Sequence, residues 1–95
     1  MRALLLKVEK HQSSYGGHFF FAFFKGEDGK SYRSCLKPGM ENWMRWQELI
    51  LAVNHGADVW LDGLRVLRPG LIDADSWPKR IPKPEVSCDL PAAAP

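Results

Sequence analysis

The sequence has no apolar run near the roughly 18 residues that a membrane-spanning helix requires, and no charged, apolar and small-residue succession of the kind that marks a secretory leader. Cysteine is scarce. Cys35 and Cys88 are the only 2, one in a segment with strand character and one in a proline-rich tail, which excludes a disulfide framework. A reducing cytoplasm is therefore the expected location. No Cys-x-x-Cys or His-x-x-x-His spacing accompanies the 3 histidines, so no zinc site is expected. A phosphate-cradling P-loop, a nucleophile elbow and a Cys/His couple are lacking too, and with them the usual constellations of an enzyme. We expect neither catalysis nor a cofactor.

An excess of either charge is also missing. The net charge is +2, from 13 basic and 11 acidic side chains. Setting aside Lys83, Glu85 and Asp89 leaves 12 basic against 9 acidic, or +3, which permits a polyanionic partner without requiring one. What the chain does have is apolar weight: 45% of its 95 residues are hydrophobic, including 5 phenylalanines and 4 tryptophans. That composition builds a core rather than a disordered chain. One domain over residues 1–81 is expected, followed by a disordered Pro/Ala-rich tail over 82–95.

Residues 2–10 begin apolar and then alternate, which sets Leu4, Leu6 and Val8 on one side of a half-buried strand and Leu5, Lys7 and Glu9 on the other. His11 to Gly17 has no periodicity and ends in a glycine pair, so it reads as a loop. A dense aromatic strand follows, His18-Phe-Phe-Phe-Ala-Phe-Phe-Lys25, then Gly26-Glu-Asp-Gly29 and a third strand from Lys30 to Lys37. Asp28-Gly29 supplies the positive φ of a tight hairpin, as either a two-residue or a three-residue loop.

Pro38-Gly39 ends that strand. Trp43, Trp46, Ile50 and Val53 then recur at helical spacing, predicting a helix from Met40 to Val53 with Asn42 near its start and Asn54-His55-Gly56 as its stop. Ala57 to Asp62 and Leu64 to Arg68 are one long strand interrupted at Gly63, or two short ones. Leu71 to Asp75 makes a last short strand, and Trp77-Pro78 closes the body, with Trp77 as a plug at its end.

Three strands, a helix and two further strands resemble the OB-fold, a five-stranded barrel with its one helix between the third and fourth strands. The resemblance covers residues 2–77 and rests on element order, the hairpin after an aromatic strand and the glycine-broken fourth strand. It implies a mainly β barrel. Many OB-fold domains bind single-stranded DNA or RNA across their second and third strands, and others only hold proteins together.

Side chains alternate along a strand, so Phe19, Phe21 and Phe23 share one face of the second strand while Phe20, Ala22 and Phe24 share the other. With a three-residue hairpin loop, Phe24 falls opposite Tyr32 and the Phe20 face continues into Ser34 and Leu36, which has the composition of core. Phe19, Phe21 and Phe23 then lie beside Ser31, Arg33, Cys35 and Lys37, and Lys25 extends this second face. Rings for stacking and cations for phosphates are what a single strand needs. A one-residue register shift would exchange the two faces, and the helix, the tail or a second subunit would equally account for a buried second face.

Tyr15 stands in the loop between His11 and His18, where it is a candidate to clamp a base or sugar. Asp73 and Asp75 alternate as a magnesium or acid-base pair would, but the plainer expectation is a turn whose backbone amides they cap. Trp43 and Trp46 fit the helix's core stripe, and Trp60 stands either on the core side, which is preferred, or outside as an exposed stacking platform. The expected function is sequence-tolerant binding of single-stranded DNA, or RNA, through Tyr15, Phe19, Phe21, Phe23, Lys25, Arg33 and Lys37, in a monomer or homodimer. The competing expectation is a protein-interaction or assembly module that uses the same phenylalanine face.

Overall fold

A computed structural model describes residues 1–84, so the tail expected over 82–95 lies largely outside the described residues, as does Cys88. The chain is mainly β. Its elements in order are β1 (Ala3–Gln12), β2 (His18–Gly26), β3 (Ser31–Leu36), α1 (Trp43–Asn54), β4 (Val59–Asp62), β5 (Val66–Arg68), β6 (Leu71–Ile72) and β7 (Lys79–Ile81). The strands form a single sheet in the order β5-β6-β3-β2-β1-β4-β7, mixed because β3 and β6 run parallel, and curled into a half-barrel around α1.

Seven strands replace the expected five among the described residues. Gly63, at φ 83°, breaks the fourth strand into β4 and β5. The break is local, because the Leu64 amide donates to the Met1 carbonyl and the Met1 amino group donates back to the Leu64 carbonyl at 2.9 Å. The addition is β7, which pairs Ile81 with Trp60 and Lys79 with Asp62. Three residues between prolines carry no alternation, so only the β4 backbone reveals that strand.

The β2–β3 hairpin takes the three-residue loop. Gly26 and Lys30 close it through a 2.8 Å backbone bond, Gly29 sits at φ 82°, and Phe24 lies opposite Tyr32. That register sends Ala22, Phe24, Ser34 and Leu36 inward, where all four are fully buried. Phe24 meets the fully buried Trp46 of α1 edge-on, and Phe20 stacks on Trp43 at 5.3 Å. Leu49 and Ile50 complete the helix stripe against Ala3, Leu5, Val59 and Leu61. A core phenylalanine such as Phe24 contributes about 3–5 kcal/mol relative to alanine.

The helix end follows the sequence closely. The Gly56 amide donates to the Val53 carbonyl and the Ala57 amide to Ala52, with Gly56 at φ 86°, which is a Schellman ending. Its start differs. Asn42 holds the N-cap position without capping, and its buried side-chain amide instead donates to the Ala74 and Ser76 carbonyls at 2.8 and 2.6 Å.

Five further expectations are corrected. In β1 the pairing steps from Leu5 opposite Phe24 to Lys7 opposite Phe23, so Leu6 is bulged and the alternation changes phase. The single side expected for Leu4, Leu6 and Val8 is therefore split, and Leu5 and Val8 face the core. β1 also runs to Gln12, which makes His11 a strand residue. Trp60 lies on the outer face between Leu4 and Ile81, because its neighbours Val59 and Leu61 occupy the core. Trp77 is 58% exposed and plugs nothing; Pro78 is the buried residue there. The last expected strand shortens to Leu71–Ile72, since Asp73 turns the chain by accepting the Asp75 amide and gripping Arg65.

Candidate functional site

The outer face of β1, β2 and β3 is built by alternation about the buried Phe20–Phe24 set. Phe19, Phe21 and Phe23 project away from α1 and form a stripe with ring centroids 5.3 and 6.4 Å apart. They are half-buried, chiefly against one another and the long side chains beside them. Cross-strand pairing places His11, Glu9 and Lys7 of β1 opposite Phe19, Phe21 and Phe23, and Cys35 and Arg33 of β3 opposite Phe21 and Phe23.

These neighbours grip the rings. His11 stacks on Phe19 at 5.5 Å and meets Phe21 edge-on at 5.1 Å. The Lys7 ammonium lies 5.2 Å from the Phe23 centroid and the Arg33 guanidinium 6.0 Å from that of Phe21, both within cation–π range. Glu9 is the carboxylate of this face. It accepts from Lys7 at 2.9 Å and contacts His11 at 3.3 Å. The Lys7 hydrogen bond, and after it that of His11, hold the Glu9 carboxyl below its ordinary range, so it is anionic at neutral pH.

Lys25 is exposed on the same face, opposite Ser31 and Leu4, and Lys37 is exposed immediately beyond β3. Tyr15 is 98% exposed in the β1–β2 loop, beyond the Phe19 end of the stripe. That loop is a turn in which the Gly16 amide donates to the Ser13 carbonyl and the Ser13 amide to Gly17. Phe19, Phe21, Phe23, Lys25 and Arg33 thus come together on one surface, with Lys37 and Tyr15 at its margins.

Lys7, Glu9 and His11 belong to the surface and are absent from the expected set. Their signal is the spacing i, i+2, i+4, which becomes legible once the first strand is extended to Gln12. Among the described residues no cluster of three His, Cys, Asp or Glu side chains is positioned to hold a metal ion. None of the described helices is long and apolar enough to cross a membrane. Comparison of the chain with protein-family models, curated proteins and solved structures gave no match.

Proposed function

We propose that the outer face of β1–β2–β3 binds single-stranded nucleic acid with little sequence preference, stacking bases on Phe19, Phe21 and Phe23 while Lys7, Lys25, Arg33 and Lys37 meet phosphates. The observation that carries this reading is three phenylalanines in line on the face turned away from the core, with cations over two of them. Stacking contributes about 1–3 kcal/mol per base and tolerates any sequence, because every base has a π-face. DNA is the first choice of strand.

An OB-fold-like barrel is part of the proposal. Its support is strand order: with β4 and β5 taken as arms of one strand broken at Gly63, neighbours run β1, β2, β3, β6, β5/β4 and back to β1. The helix falls between the third strand and the broken fourth, and β7 is an addition.

Anisotropy of a labelled oligothymidylate of about 20 nucleotides, beside the same strand in a duplex, tests the reading. Salt-sensitive binding that favours the single strand and weakens in Phe21→Ala and Arg33→Ala is the expected result. A wild type that binds neither strand, but sediments as a dimer that Phe21→Ala splits, would make the face a protein interface and overturn it.

A further inference from the structure

At the Phe23 end of the stripe a cleft of about 360 Å³ is lined by Leu6, Lys7, Phe23, Phe24, Ser31 and Tyr32. The β1 bulge accounts for its place. Leu5 pairs with Phe24 and Lys7 with the adjacent Phe23, so Leu6 has no partner on β2 and is 49% exposed at the cleft wall. Bulges of this kind re-aim side chains and interrupt an otherwise continuous pleat.

We infer that this cleft receives one unstacked nucleobase, the next in line after the base on Phe23, and so fixes where the bound strand begins or ends. The inference rests on the stripe reading for the remainder of the strand. Its volume lies at the small end of the roughly 300–1,000 Å³ that small-ligand sites occupy, which suits a single flat ring. Its lining is mostly apolar, with Lys7, Ser31 and Tyr32 as the residues that carry polar groups, and such sparse polar groups orient a ligand.

Charge favours a nucleotide over an apolar protein anchor. Lys7 stands over Phe23 at the cleft wall, and Lys25, paired with Ser31, is the next residue on that face. A base seated in the cleft would offer its phosphate to Lys25 and to Lys7, whose ammonium also holds Glu9 at 2.9 Å. Phe23 is shared, one wall of the cleft and the last ring of the stripe. Three rings and one cleft make a site of four nucleotides, at the lower end of the approximately 4–16 that one such domain covers.

The test uses the full chain, amide-resolved NMR titrations and oligothymidylates three, four and five nucleotides long. Leu6→Trp fills the cleft from an exposed position, and Leu6→Ala controls for loss of the leucine itself. Wild-type affinity is expected to rise about tenfold from three to four nucleotides and little from four to five, within the range one base contributes. In Leu6→Trp the rise at the fourth nucleotide should vanish while trinucleotide affinity persists, and Leu6→Ala should keep the rise. Thymidine 5′-monophosphate alone should shift the Leu6, Ser31 and Tyr32 amides of the wild type and not those of Leu6→Trp.

A tenfold step that survives in Leu6→Trp, with trinucleotide binding still lost in Phe21→Ala, would overturn the cleft and leave the stripe standing. Monophosphate shifts at Leu6 and Ser31 without any oligonucleotide binding would keep the cleft and overturn the stripe. If neither oligonucleotide nor monophosphate perturbs these amides, both readings fall.

Discussion

Phe21 and Phe24 are the same residue type on one strand, and opposite parity gives them opposite work. Phe24 is fully buried against Trp46, so Phe24→Ala should cost about 3–5 kcal/mol in chemical denaturation. Phe21 lies on the outer face beside His11, Arg33 and two other rings, so Phe21→Ala should leave the denaturation midpoint nearly unchanged and weaken oligothymidylate binding roughly 5- to 150-fold, the equivalent of one stacked base. Glu9 opposes a polyanion and occupies Lys7 and His11. Glu9→Gln should therefore tighten binding about two- to fivefold at low salt, the scale of an exposed ion pair, and the gain should shrink as salt is added. Unchanged affinity in that variant would mean that phosphates do not approach β1.

The carboxylates also set the acid limit of stability. Asp73 is held below its ordinary pKa by the Asp75 amide and then by Arg65, Asp28 by the Tyr32 hydroxyl and then by the Lys30 amide, and Glu9 by Lys7. A lowered folded-state pKa stabilises above the unfolded value and is lost as pH falls through the folded one. Urea midpoints should accordingly stay flat from neutrality down to about pH 5 and drop below about pH 4, and Asp73→Asn should flatten part of that drop.

At the scale of elements, two glycines mark where the chain turns under constraint. Gly29 closes the β2–β3 hairpin at φ 82° with open space around it, so Gly29→Ala should cost only the left-handed strain of about 1–2 kcal/mol. Gly63 stands at φ 83° with the Trp77 carbonyl 3.1 Å from where a Cβ would sit, so Gly63→Ala adds a clash to that strain and should be the more destabilising of the two in thermal unfolding. The order reversed would mean that the β4–β5 bend is not held by Trp77. The bulge in β1 is the third such device. It lets Leu5 and Val8 both reach the core while Lys7, Glu9 and His11 stay with the phenylalanines, which strict alternation from Leu4 cannot do.

For the whole molecule, charge limits how strongly any nucleic acid can be held. The proposed face offers Lys7, Lys25, Arg33 and Lys37 to phosphates, and at about 0.7 counterion per single-strand contact the slope of log affinity against log salt should lie near −2 to −3. A slope near −6 would bring in cations away from the stripe, such as the exposed Lys79 and Arg80 of β7. The same ladder ties the molecule together. β4 and β5 stand near opposite ends of the sheet's hydrogen-bonded order yet are consecutive in the chain, so the bend at Gly63 is what curls the sheet.

Local signals alone determined much of this protein. Alternation sorted the phenylalanines into two faces, Asp28-Gly29 located the hairpin but left a two- or a three-residue loop open until the observed pairing seated Phe24 opposite Tyr32, and the Trp43–Trp46–Ile50 spacing located the helix and its core stripe. Each of those depends on residues a few positions apart, where backbone geometry acts directly. Tertiary structure decided the rest. The bulge at Leu6 exists only in the pairing of β1 with β2, β7 exists only against β4, and Trp60 faces outward because Val59 and Leu61 are claimed by the core. Asn42 left its cap for the Ala74 and Ser76 carbonyls 32 and 34 residues away, a choice made by partners that no local pattern can reveal.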